Sequence, residues 1–297
     1  MTTQRGFTLI EMAIVLIIVT ILIGGLAMPL SAQIQARRVA ETRADMQAIH
    51  DALLGYAMSH YVTTSPLPCT CSYDSSGVYL SSTCDKTQLC PASISASSIG
   101  ISFSPIRHHL PCPDAPNDGN TSTTNDDDGI EEARDASGVC PLSRGALPWA
   151  TLGVKAQDAW GNRYTYAVTS PFANDRTGFT SMPYATTTPP PPPHTLGDLD
   201  VYPDSSCGTA SMPGVPVIVV SHGANGRGAQ NANGGTPLAA SAVPIDERQN
   251  LAVPMPVAPC TNNSFVSHSP TDTFDDLVIW LSSNELFNRI CPAGGCP

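Results

Sequence analysis

One carboxylate stands inside the longest apolar run of the sequence. The run begins at Phe7, contains Glu11 near its start and continues to about Leu30. Roughly 20 apolar residues are enough for one helix to cross a bilayer, and a carboxylate in hydrocarbon costs about 2.5–3.5 kcal/mol on insertion scales. Glu11 is therefore a candidate for function. An opposite charge offered by another chain would relieve the cost of burying it.

The residues around Glu11 form a recognisable pattern. A short polar leader ends at Gly6, and Phe7 and then Thr8-Leu9-Ile10-Glu11 precede the unbroken apolar stretch. The segment resembles the N-terminus of type IV prepilins and of type II secretion pseudopilins, and every position of their pattern is present. The resemblance implies that a membrane-embedded prepilin peptidase cuts between Gly6 and Phe7 and methylates the new amine. It also implies that Glu11 pairs with the terminal amine of a neighbouring subunit in a filament.

Two ordinary membrane-targeting segments are the alternatives. A secretory signal has an apolar region of about 7–15 residues that ends at a small-residue cleavage site, whereas this run is longer and contains Glu11. A signal anchor would tolerate the length, but it gives no reason for Glu11. The positive-inside rule does not decide the orientation, because Arg5 precedes the run and Arg37 and Arg38 follow it.

The cysteines decide the orientation instead. All ten follow the apolar segment, and an even number in an exported domain indicates a disulfide framework outside the cytoplasm. Zinc has little support, because Cys69-Thr70-Cys71 is not C-x-x-C and no second pair stands at finger spacing. The connectivity is open, although Cys291 with Cys296 would close a short C-terminal loop. The predicted disulfide cysteines are Cys69, Cys71, Cys84, Cys90, Cys112, Cys140, Cys207, Cys260, Cys291 and Cys296.

Composition excludes one class of partner. The chain has 297 residues and a formal net charge of −11, and only 13% of its residues are charged. Its 28 prolines and 23 glycines indicate many turns around a modest core. Phosphate binding needs clustered Lys and Arg, which are few and scattered here. We therefore expect no nucleic-acid partner.

The N-terminal part predicts one long helix from Phe7 to about Tyr61. After a leader at residues 1–6, its first half (7–30) is apolar all round, as a transmembrane or filament-core segment is. Its second half (31–62) is amphipathic. Apolar residues recur there at spacings of three, four and seven: Val39, Met46, Ile49, Leu53 and Ala57. This stripe packs either on the head or on neighbouring helices.

We expect residues 63–297 to form a globular head with three parts. Residues 63–145 form Cys-rich loops, residues 146–281 a β-region, and residues 282–290 a short helix. Alternation of Tyr164, Tyr166 and Val168 predicts a half-buried strand, and the apolar run at 215–223 predicts a central strand. Ser282 and Glu285 have capping-box spacing, and Leu286, Phe287 and Ile290 would face inward. We expect an α+β, pilin-like fold with a long N-terminal α-helix and a C-terminal antiparallel β-sheet head stapled by disulfides.

A second, partial resemblance lies in the β-region. Residues 158–164, Asp-Ala-Trp-Gly-Asn-Arg-Tyr, resemble the Asp-Pro-Trp-Gly-Asn-Pro-Tyr motif of the major pseudopilins, with Ala159 and Arg163 in place of the prolines. In the pseudopilins a strand then runs into a Gly-rich loop that binds calcium through backbone carbonyls and carboxylates. The counterpart loop is 226–235, which contains no acid. The residues that the resemblance offers as ligands are Asn225, Asp275 and Asp276.

The densest run of acids suggests a second calcium position. Asp126, Asp128 and Gly129 have the mutual offsets of a calcium loop, but Thr124 holds the first ligand position and Asp135 the last, where Glu is expected. The alternative is a solvated acidic loop.

No enzymatic motif is present. The sequence has no phosphate loop, H-E-x-x-H or G-x-S-x-G. Ser221 and His222 are adjacent on a predicted strand, so their side chains point to opposite faces and cannot pair as nucleophile and base. We expect no catalytic residues and no enzyme.

These observations predict a structural subunit of a type IV pilus or a type II secretion filament, assembled through its N-terminal helix after processing. Its partners would be other pilin-like subunits, prepilin peptidase, an inner-membrane assembly platform and, before assembly, the membrane. The precursor would lie in the bacterial inner membrane with its head outside the cytoplasm, and the filament would be periplasmic or extracellular. Within the family the alternative is a minor subunit. Outside it, the alternative is a membrane-anchored adhesin or binding module that never polymerises.

Overall fold

A computed structural model of the protein describes residues 8–60, 71–73, 79–82, 108–115, 127–179, 196–230, 242–252 and 259–290. Helix α1 runs from Leu9 to Ser59, 51 residues, and ends at His60, whose backbone is extended. The predicted helix is thus confirmed to within two residues at each end.

Within those residues, no helix is both long enough and apolar enough to cross a membrane.

The second half of α1 packs on the head. Met46, Ile49, Leu53 and Ala57 are all buried, and they join the main core cluster with side chains of the sheet and of the C-terminal helix. Val39, at the start of the stripe, is half-buried. The stripe therefore serves the chain's own head, which decides between the two alternatives that the sequence left open.

Polar contacts fix the C-terminal end of α1. The Tyr56 hydroxyl donates to Glu131 Oε1 at 2.5 Å, and Glu131 Oε2 forms an ion pair with Arg134 at 3.0 Å. Arg134 also donates to the carbonyls of Leu110 and Ala173, each at 2.9 Å. The helix end is thereby tied to three separate segments of the head.

The remaining elements are short. In chain order they are β1 (Cys71–Tyr73), β2 (Tyr79–Ser82), β3 (Arg144–Ala146), α2 (Trp149–Leu152), β4 (Thr165–Val168), α3 (Ser170–Ala173), β5 (Leu199–Tyr202), β6 (Met212–Val215), β7 (Val217–Ser221), α4 (Ile245–Arg248), β8 (Ser264–Val266), β9 (Leu277–Leu281) and α5 (Ser283–Ile290).

The strands form three sheets. β1 and β2 make a two-stranded antiparallel pair, and the main sheet has the order β3-β4-β7-β9 with every pair antiparallel. β7 is internal to the main sheet, as the apolar run at 215–223 predicted. The third sheet, β6-β5-β8, contains one parallel pair, β5 with β8. The head is therefore not wholly antiparallel, because the long connection from β5 returns β8 to the sheet in the same direction.

Both faces of the main sheet are covered. Tyr166, Val168 and Val219 belong to the cluster shared with α1 and α5. Ala167, Ile218 and other residues of the opposite face belong to a second cluster with the third sheet. All four residues of β4 are buried. The prediction of a half-buried strand was wrong, because alternating residues of β4 enter two different cores rather than a core and solvent.

Other predictions for the head hold. Leu286, Phe287 and Ile290 of α5 are buried, and the Glu285 N–H donates to Ser282 Oγ at 3.2 Å, one half of a capping box. Two disulfides, Cys112–Cys140 and Cys207–Cys260, staple the head. Each typically adds about 2–4 kcal/mol by restricting the unfolded chain. The other predicted disulfide cysteines, including the pair Cys291 and Cys296, lie outside the described side chains.

Leu53→Ala tests the docking of α1 on the head. The side chain is 1% exposed, so its loss should lower the free energy of unfolding by about 2–5 kcal/mol. Urea denaturation of the purified full chain in mild detergent measures the change. Ile34→Ala is the matched control, because Ile34 lies on the same helix and is 46% exposed. Its effect should stay within about 0.5 kcal/mol, and equal effects of the two variants would contradict the docking.

Candidate functional site

Glu11 lies in the first turn of α1 and is held there by Thr8. The Thr8 N–H and the Thr8 hydroxyl both donate to Glu11 Oε2 at 3.1 Å, and the Glu11 N–H donates back to Thr8 Oγ1 at 3.3 Å. This is a capping box. The Thr-x-x-Glu spacing is its signal in the sequence, and the interpretation of Glu11 given above did not use it. Gly6 and Phe7 lie outside the described residues, so the processing site stays a prediction.

The apolar side chains around Glu11 are not packed against any other described part of the chain. Every described side chain from Leu9 to Ile21 is exposed. Large examples are Leu9, Ile10, Met12, Ile14, Val15, Leu16, Ile17, Ile18, Val19 and Ile21. A helix that is apolar all round is stable only inside an apolar surrounding. In the part of the chain that the structure describes, the head supplies none for this half of α1.

A second candidate site is a cluster of three carboxylates. Glu247 lies on α4, and Asp275 and Asp276 directly precede β9. One ligand oxygen of each lies within 4.8 Å of the others. Gly223, with a φ of +61°, allows the close approach, because a Cβ there would stand 2.5 Å from Asp275 Oδ1.

Each of the three carboxylates accepts hydrogen bonds through only one of its two oxygens, as far as the described residues show. Asn225 donates from Nδ2 to Glu247 Oε1 at 2.6 Å and from its backbone N–H to Asp275 Oδ2 at 2.9 Å. Asn250 Nδ2 donates to Asp276 Oδ2 at 2.8 Å. The second oxygens, Glu247 Oε2, Asp275 Oδ1 and Asp276 Oδ1, are buried and accept no hydrogen bond from the described residues. Buried acceptors without donors are costly, and the three carboxylates lie close together, so a cation is the partner that would satisfy them.

The raised pKa values of the three carboxyl groups also indicate that the positive charges of the described residues do not fully compensate them. Burial raises the pKa of Glu247 and of Asp275, and it raises the pKa of Asp276 well above its ordinary value; the neighbouring acids add to the shifts of Glu247 and Asp276. His222 Nδ1 lies 3.7 Å from Asp276 Oδ1, but burial, and secondarily Arg144, lower the pKa of His222 to about 4. His222 is thus neutral at physiological pH and does not neutralise the cluster.

The donor set fits a hard divalent cation. Calcium takes six to eight oxygen ligands, and magnesium also prefers carboxylates and water. Three carboxylates with free oxygens would supply the protein ligands, and water the rest. Of the predicted ligands, Asp275 and Asp276 are brought together. Asn225 positions Glu247 instead, since its own Oδ1 accepts from the Arg227 N–H at 2.8 Å.

Glu247 was missed by the sequence analysis. It stands 28 residues before Asp275 in Pro244-Ile245-Asp246-Glu247-Arg248, and no motif spacing links it to the strand. Only the fold of α4 against the start of β9 brings it to the cluster. Part of the Gly-rich loop, 231–235, lies outside the described residues.

The structure does not bring together a set of calcium ligands in the described part of the predicted calcium loop at Asp126 and Asp128. Asp126 lies outside the described residues, and Asp128 Oδ1 accepts from the Ile130 N–H at 2.8 Å. Asp127 pairs with Arg163 at 2.9 Å. No three acids converge in the described portion of this loop, so calcium binding there stays a prediction.

Asp114, which the sequence analysis did not select, lies beneath this loop. It is fully buried, and its Oδ2 accepts from the Gly129 N–H at 2.8 Å. Its Oδ1 has no hydrogen-bond partner among the described residues. Burial raises the pKa of Asp114 to about 7, with smaller effects from Asp128, Asp127 and Glu132.

Ser221 and His222 have separate partners. Ser221 Oγ donates to Asp158 Oδ2 at 2.7 Å, whereas His222 Nε2 lies 2.8 Å from Thr165 Oγ1. Both residues are buried. The structure therefore brings no nucleophile and base together at this pair.

The prokaryotic N-terminal methylation motif matches residues 1–27. This motif is the hallmark of the prepilin-type signal, so the chain carries such a signal and the predicted N-terminal resemblance is confirmed. In general terms the match supports a pilin-like or pseudopilin-like subunit. No curated protein and no solved structure matches the chain.

Calcium should stabilise the full chain through the carboxylate cluster. We expect millimolar Ca²⁺, the range of weak extracellular sites, to raise the Tm relative to EGTA and to release protons on binding, because the carboxylates must ionise. Glu247→Gln should lose most of the Tm shift. Asp272→Asn is the control, since Asp272 is an exposed acid on the segment that leads to Asp275. Equal Tm shifts in the two variants, or no heat in a calorimetric titration, would remove the site.

Asp114 should give the stability a characteristic pH dependence. Its pKa is about 7 in the folded chain, against 3.8 for an unperturbed aspartic acid, so between these values the folded state binds more protons than the unfolded state. Its contribution therefore makes the free energy of unfolding fall as pH rises from about 4 to 7. In Asp114→Asn this slope should flatten, as measured by urea denaturation across that range. Asp272→Asn should keep the wild-type slope, and an unchanged slope in Asp114→Asn would refute the assignment.

Proposed function

We propose that this chain is a structural subunit of a type IV pilus or of a type II secretion filament. It would assemble through α1 after prepilin peptidase removes residues 1–6. The observation that carries the proposal is the methylation motif at residues 1–27 together with the first half of α1, whose apolar side chains are exposed from Leu9 to Ile21. Exposed apolar surface of this extent indicates an interaction site for lipid or protein.

Before assembly, the proposed surrounding of this apolar half is the bacterial inner membrane, with the head outside the cytoplasm. The disulfides Cys112–Cys140 and Cys207–Cys260 support that side, because disulfides persist in oxidising compartments. During assembly, helices of other pilin-like subunits would replace the lipid. An inner-membrane assembly platform would receive the processed chain.

Glu11 would provide the specific contact. In the single chain its carboxylate has only the hydrogen bonds from Thr8 and no cation nearby among the described side chains. A buried carboxylate needs a counter-charge. The freed amine of Phe7 on a neighbouring subunit would supply it, so that the electrostatic pair sets the axial register while apolar packing supplies the bulk of the attraction.

The head would act by assembly and recognition rather than by catalysis. Burial and separate partners of Ser221 and His222 support that view. The finer proposal is a minor subunit, because a head as large as residues 63–297 would crowd a helical lattice of identical chains.

The carboxylate cluster would hold calcium as a structural ion. Bound between Glu247 and the pair Asp275 and Asp276, the cation would fasten α4 to the start of β9. It would also neutralise two buried acids, Glu247 and Asp276, and the half-buried Asp275. The three unpartnered oxygens support this assignment.

A set of three variants tests the role of Glu11. Glu11→Ala removes both charge and cap, whereas Glu11→Gln removes the charge but keeps an acceptor that serves in capping boxes. Thr8→Ala removes the cap and keeps the charge. We expect both Glu11 variants to reduce filaments sheared from cells by roughly tenfold or more, by the loss of a desolvated ion pair, and Thr8→Ala to assemble.

Membrane levels of each precursor, measured by immunoblot, are the control for expression. Normal assembly of Glu11→Gln would show that charge pairing is not the basis of polymerisation. Absence of wild-type filaments in cells that contain the complete assembly machinery would favour a non-polymerising membrane anchor.

A further inference from the structure

Trp160 occupies an unusual place beside α1. Its indole is half-exposed, and its Nε1 donates to Gln35 Oε1 at 3.2 Å. Gln35 follows Leu30, the end of the apolar run, by five residues, which corresponds to about 7–8 Å along the helix. The loop of the head therefore delivers one aromatic ring to the point where α1 leaves its apolar half.

The charges at this point are basic and unpaired. Arg37 and Arg38 are exposed and form no ion pair with the described residues. The nearest acids of the helix, Glu41 and Asp45, are engaged by Lys155 at 3.3 and 2.9 Å. On a chain with a net charge of −11, two exposed arginines side by side form a local basic site that can bind an anionic surface.

One apolar side chain completes the surface. Ile34 is 46% exposed and lies one turn before Arg38 on the same side of α1. We name Ile34, Gln35, Arg37, Arg38 and Trp160 the interfacial patch. It combines an amphipathic ring, an exposed aliphatic side chain and two cations within about 12 Å of Leu30 along the helix axis.

These dimensions match the edge of a bilayer. The hydrocarbon core is about 30 Å thick, and each headgroup layer adds about 5–8 Å. With Leu30 at the hydrocarbon boundary, Trp160 stands in the headgroup layer, where Trp is enriched. The two arginines begin about 10–12 Å from Leu30, just beyond this layer, and their long side chains can reach back to the phosphates of anionic lipids.

We propose that the interfacial patch rests on an anionic phospholipid surface while the chain is still in the membrane. This inference rests on the proposed membrane position of the first half of α1. The occupant is lipid rather than a second acidic head, because the ring and Ile34 need an apolar layer beside the charges. Neither side chain would gain from a contact between charged surfaces alone.

The patch would also set the register of the helix in the membrane. Residues 9–30 of α1 span about 33 Å, close to the thickness of the hydrocarbon core. When Trp160 and the arginines rest at one interface, Leu9 at the start of α1 lies near the other. The patch thus holds α1 at a fixed depth in the membrane and limits the tilt of the head.

Depth-dependent quenching tests the proposal on the full-length chain. The chain is reconstituted in vesicles of phosphatidylcholine alone or with about a third phosphatidylglycerol, doped with lipids brominated near the carbonyl or near the chain end. Trp149→Phe with Trp280→Phe leaves Trp160 as the only tryptophan. We expect carbonyl-side bromines to quench Trp160 more than chain-end bromines do, and roughly twofold more strongly in the anionic vesicles.

Two arginine variants separate the patch from general charge effects. Arg37→Gln with Arg38→Gln should abolish the extra quenching in anionic vesicles. Arg43→Gln should leave it unchanged, because Arg43 is also exposed on α1 but lies about 20 Å past Leu30. If the single-tryptophan background fails to fold, the difference in quenching between the wild-type chain and Trp160→Phe gives the same measurement.

The remaining outcomes are distinct. Flotation with the vesicles but no quenching of Trp160 would overturn the interfacial patch and leave the membrane anchor intact. Failure to float would contradict the proposed function itself. Cross-links between copies that require Arg37 and Arg38 and do not depend on anionic lipid would replace lipid by a second chain as the partner, and would also overturn the proposal.

Discussion

A single helix that must satisfy two different surroundings is the constraint on which this molecule depends. From Met46 to Ala57, α1 buries one stripe against its own head, and that contact is part of the main core. From Leu9 to Ile21 its apolar side chains have no cover among the described residues. The hydrophobic effect is proportional to the apolar area removed from water, so the first half of α1 is stabilised by an apolar surrounding outside the chain's own head. The second half attaches the head to the same helix.

The head is built to hold that helix firmly. The main sheet lies between α1 with α5 on one face and the third sheet on the other. Consecutive residues of β4 and β7 therefore contribute alternately to two cores. Tyr56, Glu131 and Arg134 tie the helix end to loops that a disulfide also restrains.

Buried acids without cations distinguish two parts of the head. Glu247, Asp275 and Asp276 bring three carboxylates together, and each keeps one buried oxygen without a hydrogen bond from the described residues. At Asp114 one buried oxygen lacks a hydrogen bond from the described residues, and burial raises the pKa of this carboxyl to about 7, so that it binds a proton more readily than an ordinary aspartic acid does. The same desolvation penalty has different consequences, because the number of converging oxygens decides whether a divalent ion or a proton is the better partner.

The sequence by itself determined the N-terminal signal, the long helix, the stripe of α1, the central strand β7 and the inward face of α5. Each of these follows from a local pattern, such as a spacing of three or four residues or the Thr-Leu-Ile-Glu segment. Asp275 and Asp276 were also selected from the sequence, by resemblance.

Only the tertiary structure decided that β4 is buried on both faces, that β5 and β8 are parallel, that Glu247 joins the carboxylate cluster and that Trp160 meets Gln35. These contacts join residues 28 or more positions apart in the chain, and no local periodicity encodes which surfaces meet when two layers close on a sheet.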